Sequence, residues 1–280
     1  MVPVRIPLTR PGLVFVYLKA MGLDLTSVTN IAHALRADPT TFARVHSVVW
    51  MGGALEHPGN TSPTSEFNCF ADPYAAQQVL DACKTGAFEV IMAPLDITTP
   101  HQIPFDDLIL SDYAGKAASS SAATFASTPL RQFVSAMLVR VRGLQASFGL
   151  PDAMEMHDPV AVWYALAHAG LRPLDLAQGW ELQPREFKVE RIGELTRGMC
   201  VVDRRGTGDD GEDRTKQERL KSGKDAEAAK KNGLPEKDET KGRMGEDIAK
   251  SKQLPWVIVK TPGKEVLRKT LLSRVFGMDV

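Results

Sequence analysis

Apolar and polar positions along the chain fall into short runs of two kinds. In "VHSVVWMGG", residues 45–53, β-branched and aromatic residues run straight into Gly52-Gly53, which predicts a buried strand closed by a turn. "FEVIMAPLDITT", residues 88–99, predicts a second strand. Between them, "ADPYAAQQVLDACKTG" predicts a helix with Asp72 as N-cap, Pro73 at the first helical position and Gly86 past the end. "TNIAHALRADP" predicts a helix that stops before Pro39. Residues 128–148 predict an amphipathic helix, with Leu130, Phe133, Val134, Met137, Leu138 and Val141 at helical spacing. "HDPVAVWYALAHAG", from residue 157, predicts another helix, capped by Asp158 and started by Pro159. "LVFVYLKAM", residues 13–21, suits a buried strand or a short helix equally.

Strands that alternate with helices predict an α/β fold, an open and largely parallel sheet with helices on both faces. Such sheets bind ligands in the crevice at the carboxyl ends of their strands. The loop "GNTSPTSEFN", residues 59–68, follows the strand ending at Met51 and therefore falls at that edge.

Composition narrows the function. The 280 residues carry 34 basic and 34 acidic side chains, and a hydrophobic fraction of 43% is enough for a large core. With zero net charge, no overall field draws the chain to nucleic acid or to a membrane surface. Three cysteines, Cys69, Cys83 and Cys200, without C-x-x-C spacing imply a reducing compartment. The first residues lack a signal-peptide core and no run approaches a membrane span, so the expectation is a soluble cytoplasmic protein.

Composition also divides the chain. From about residue 204 to 252, about half the residues are charged and apolar ones are sparse, which predicts a solvated or disordered insertion between a 1–203 domain and a 253–280 strand and helix that complete it. The string "GTGDDG" inside it fits G-x-G-x-x-G, but no apolar helix face follows, so it is not read as a cofactor loop.

The chemistry-bearing residues are few. There is no Walker loop, no G-x-S-x-G elbow and no H-E-x-x-H pair. Asp96 ends the second strand and reads as a turn or capping acid. What remains is the amide–acid–amide set Asn60, Glu66 and Asn68, with the pair His157-Asp158. Carboxylates accept from hydroxyls and amides both donate and accept, a combination that suits a polyol or sugar.

The order of blocks "LTSVTNIAHALRADP", "VVWMGGALEHPGNTSPTSEFNCFADPYAAQQVL", "MAPLDITT", "MHDPVAVWYAL" and "GELTRGMCVVD" resembles the inosine–uridine-preferring nucleoside hydrolases, from about residue 24 to 203. The resemblance implies hydrolysis of the N-glycosidic bond of a ribonucleoside to ribose and free base, with calcium as cofactor and a homo-oligomer as partner state. It implies Asn60, Glu66 and Asn68 as ribose-binding residues, His157 beside the leaving base, and Asp158 with the Leu25 carbonyl as calcium ligands. The D-x-D-x-x-x-D-D motif with which the family opens has no counterpart in this sequence. The resemblance therefore leaves two expectations, a chain lacking the family's first strands and metal motif, or a catalytically dead relative that binds nucleoside or ribose.

Overall fold

The computed structural model describes residues 21–113, 128–169, 176–204 and 254–279. The segment 13–20 and nearly all of the charged 204–252 stretch lie outside the described residues. Five strands form the main sheet: β1 (Met21–Asp24), β2 (Ser47–Met51), β3 (Glu89–Ala93), β9 (Trp256–Lys260) and β6 (Glu181–Pro184), in the spatial order β1-β2-β3-β9-β6. The first four run parallel and β6 pairs antiparallel to β9. Two small antiparallel ribbons stand apart, β4 (Gln102–Pro104) with β5 (Ala153–Glu155) and β7 (Lys188–Val189) with β8 (Cys200–Val201). The fold is α/β, as the alternation of patterns predicts.

Each central strand is covered on both sides, which is why β2 reads as an unbroken apolar run rather than an alternating one. On one face Val48, Trp50, Val90 and Met92 pack under helices α1 (Thr29–Ala37) and α4 (Pro73–Lys84), which bring in Ile31, Ala76, Val79 and Leu80. On the other face Leu23, Val49, Met51 and Ile91 meet Ala161, Tyr164 and Ala165 of α8 (His157–Ala167). Helix α4 starts as its sequence predicts: Asp72 accepts from the Ala75 N–H at 2.9 Å, Pro73 follows, and Gly86 lies beyond the end with φ +78°. A short α2 (Pro39–Phe42) carries the chain from α1 toward β2.

Three details differ from the sequence reading. The second strand stops at Ala93, and residues Leu95–Thr98 turn into a short helix, α5, after Pro94. Helix α8 begins at His157 with Met156 at its N-cap and no side-chain cap, so Asp158 stands in the first turn and does not cap it. Helix α7 (Pro129–Ser147) matches the expected span, but Leu130, Phe133 and Met137 point outward at 46%, 62% and 49% exposure. It rests on the short helix α6 (Phe105–Leu108) and the turn after it through Leu138, Arg131 and Ser135, whose hydroxyl accepts from the Leu110 N–H at 2.9 Å. Polar bonds choose the buried side of this helix, and a periodicity count cannot see them.

Candidate functional site

The carboxyl ends of β1, β2 and β3 lie side by side, with Asp24 opposite Trp50 and Met51 opposite Ala93. From this edge rises the loop that ends in α3 (Phe67–Ala71). It begins with two glycines that other residues cannot replace. A Cβ on Gly53, at φ +79°, would stand 2.2 Å from the Met92 methyl, and one on Gly59 would stand 2.1 Å from the Ser62 carbonyl oxygen.

Glu66 is the N-cap of α3 and is 2% exposed. Its carboxylate accepts three backbone N–H groups, from Gly53 at 2.7 Å, Asn68 at 2.8 Å and Cys69 at 3.1 Å. Burial lifts its pKa above the usual carboxylate value, and those three N–H bonds and the nearby His157 pull it back. Asn68, also buried, donates from Nδ2 to the Met51 carbonyl at 3.0 Å, at the end of β2. Asn60 is exposed, and its Oδ1 accepts the Phe67 N–H at 2.9 Å, so it holds the entry to α3. The loop is tied down at its far side by Ser65 and Thr64, whose hydroxyls donate to the carbonyls of Arg197 and Leu195.

Helix α5 connects this loop to His157. Gly53, whose N–H is held by Glu66, accepts the Leu95 N–H at 2.9 Å. Asp96 accepts the N–H groups of Leu55, Glu56 and His57 at 2.9, 2.7 and 3.1 Å, so it holds the bend of residues 55–57 as a turn acid. Two residues on, the buried Thr98 hydroxyl bonds Nδ1 of His157 at 2.8 Å, and Nε2 of the same ring meets Glu155 at 2.9 Å. Asp158 is exposed, yet its surroundings desolvate it enough to raise its pKa, with His157 opposing. The His157 charge lowers the pKa of both Glu66 and Asp158, so all three lie within electrostatic reach of one another.

Sequence reasoning singled out Glu66, Asn68, Asn60, His157 and Asp158; it missed Glu155, Thr98 and Asp24. Asp24, wholly buried at the end of β1, bonds the Thr26 N–H and hydroxyl through Oδ1, while Oδ2 has no hydrogen-bond partner among the described residues. Burial pushes its pKa up to about 6 from 3.8. A folded-state value above the unfolded one favours folding below about pH 4, and that contribution is lost as pH rises through 6; holding the charge at neutral pH costs up to about 3 kcal/mol. Asp24→Asn, which keeps the Oδ1 acceptor, should therefore stabilise the chain by about 1–2 kcal/mol at pH 8, the gain fading toward pH 4. Urea unfolding at the two pH values checks this; no gain at pH 8 contradicts it. Leu25 follows, half-buried against the α8-side core.

A polar hollow of about 530 Å3 between β4 and α9 (Lys264–Phe276) is lined by Gln102, Pro104, Asp107, Lys264, Glu265 and Arg268, and by none of the residues above except through Gln102, a neighbour of Glu155. That hollow is thus separate from the sheet edge where Glu66, Asn68 and His157 stand. Among the described residues no three His, Cys, Asp or Glu side chains gather in a metal-holding cluster. Nor is any helix among them long and apolar enough to cross a membrane.

The family model of the inosine-uridine preferring nucleoside hydrolases matches residues 19–231, about three quarters of the chain. The chain belongs to this family. It is 33% identical over 183 residues to the inosine-uridine preferring nucleoside hydrolase of Leishmania major, and 29% identical over 182 residues to a pyrimidine-specific ribonucleoside hydrolase of Klebsiella pneumoniae. These alignments cover 63% and 62% of this chain and 48% of each relative, so the chain spans about half the length of the curated relatives it matches. Among solved structures, a purine-preferring ribonucleoside hydrolase from Gardnerella vaginalis superposes with a TM-score of 0.58 at 19% identity, over 92% of this chain and 60% of that one. A plant nucleoside hydrolase gives a TM-score of 0.55 at 18% identity, over 92% and 62%. At such identities the superpositions establish the shared nucleoside hydrolase fold.

Proposed function

We propose that this nucleoside hydrolase-family chain acts on ribonucleosides, holding the ribose at the Glu66 loop and cleaving its N-glycosidic bond beside His157 and Asp158. One observation carries the reading. The hydrogen-bonded path Glu66–Gly53–Leu95, continued through α5 to Thr98 and His157, brings the amide–acid–amide loop and the His-Asp pair to one end of the sheet. A parallel sheet offers its crevice at that end.

Each group has a task in that recess. Glu66 has one more acceptor direction than its three N–H partners use, which suits a ribose hydroxyl. Asn68 is held through Nδ2, which leaves Oδ1 for another hydroxyl. Cleavage of the glycosidic bond builds positive charge on the sugar ring, and the carboxylates of Glu66 and Asp158 stabilise that charge. His157 presents a ring N–H to the departing base while a water adds to the anomeric carbon, forming the C–O bond of ribose as the C–N bond breaks and giving up a proton that replaces the one the base takes.

Calcium is the ion the resemblance implies, and that resemblance assigns Asp158 and the Leu25 carbonyl as ligands. A hard cation of that kind takes six to eight oxygens. Two do not make that site, and the described residues bring no acidic cluster to complete it. Inosine and uridine bracket the purine and pyrimidine classes, so the test measures ribose release from both, with and without added calcium. The proposal expects release from the chain. Ribose binding without release favours a non-catalytic relative, and neither binding nor release rejects the site. The cytoplasm and self-association remain the expectations for location and assembly.

A further inference from the structure

We propose that Glu155 is a positioning residue for His157, fixing which ring nitrogen carries hydrogen and where it points. The inference rests on the reading of His157 as the group beside the leaving base, but its geometry is independent of that reading. Glu155 ends β5, two residues before His157, and its Oε2 lies 2.9 Å from Nε2. Its other oxygen accepts from the Gln102 amide across the β4–β5 ribbon at 3.4 Å, which braces the carboxylate in place. On the far side of the ring, the wholly buried Thr98 hydroxyl meets Nδ1 at 2.8 Å.

These partners are unequal in what they allow. A carboxylate only accepts, so Nε2 must hold the hydrogen. A hydroxyl donates or accepts as it rotates, so Thr98 bonds Nδ1 whether that nitrogen is bare or protonated. The neutral ring therefore keeps its hydrogen on Nε2, and Nε2–H keeps one direction. The two partners also differ in access. Thr98 is fully buried, whereas the Glu155 side chain is 38% exposed. The Nε2–H bond is thus the one that a ligand acceptor can take over from the carboxylate, with the inner bond holding the ring in register.

The test reads the ring directly, by long-range 1H–15N spectra of histidine-labelled protein recorded above the histidine titration. In the parent chain His157 should show a protonated Nε2 and a bare Nδ1. Glu155→Ala should give a mixture of the two tautomers. Glu155→Gln keeps an acceptor oxygen, so it should restore the parent pattern. A ring unchanged in Glu155→Ala, or disturbed as fully in Glu155→Gln as in Glu155→Ala, overturns the assignment. These spectra require no turnover, so a chain that hydrolyses no nucleoside would sink the proposed activity and leave this result standing.

Discussion

Glu66→Ala should destabilise the chain by about 3–5 kcal/mol and remove ribose binding together with it. The substitution deletes the single acceptor of three backbone N–H groups, those of Gly53, Asn68 and Cys69, on a side chain only 2% exposed. Each orphaned donor costs about 1–3 kcal/mol, and local relaxation recovers part of the sum. Against a whole-domain stability of about 5–15 kcal/mol this is a large fraction. Burial of the charge partly offsets the loss, because the raised pKa of Glu66 shows that desolvation outweighs its three N–H bonds. Glu66→Gln separates the two roles. The amide keeps one oxygen for Gly53 or Asn68 but turns an NH2 toward the remaining donors, so it should fall between the parent and Glu66→Ala. Denaturant unfolding of the three proteins orders them; equal midpoints would show that the carboxylate is not the keystone of the loop.

Asp158→Ala should behave in the opposite way, lowering ribose release by about 100-fold or more while leaving stability within about 0.5 kcal/mol. Asp158 makes no capping bond in the first turn of α8, so its removal orphans nothing. Its pKa is raised, so the surroundings disfavour the charge they hold, and a carboxylate kept under those conditions points to a site. The helix N-terminus and His157 offset part of that penalty. Parallel unfolding curves and ribose-release rates for parent and variant decide the matter. A variant that unfolds early, or one that releases ribose at the parent rate, would assign Asp158 a structural role or none.

Where the sequence was legible, one local rule decided the outcome. Strand β2 follows from a run of β-branched and aromatic residues buried on both faces, and α4 from Asp72, Pro73 and Gly86. Glu66, Asn68, His157 and Asp158 stood out because polar groups clustered just past apolar runs. One miss lies where the deciding partner is distant in sequence. Thr98 lies 59 residues from His157, the ring it supports. Asp158 looked like a cap because Asp before Pro starts many helices, whereas the backbone had already turned helical at His157. The outward Leu130, Phe133 and Met137 of α7 show the same limit, because Arg131 and Ser135 find partners on the inner side. Asp24 carried no signal, since an acid at the end of a strand is usually a turn residue.

The account stands or falls on convergence: the loop of Asn60, Glu66 and Asn68 and the pair His157-Asp158 must line one recess that takes a furanose. Titrating ribose, and then inosine, into 15N-labelled chain while following the Asn68 side-chain amide and the His157 ring tests this most directly. Both signals should move along one binding curve with a single midpoint for each ligand. Movement of one without the other, or of neither at saturating sugar, would contradict a shared site.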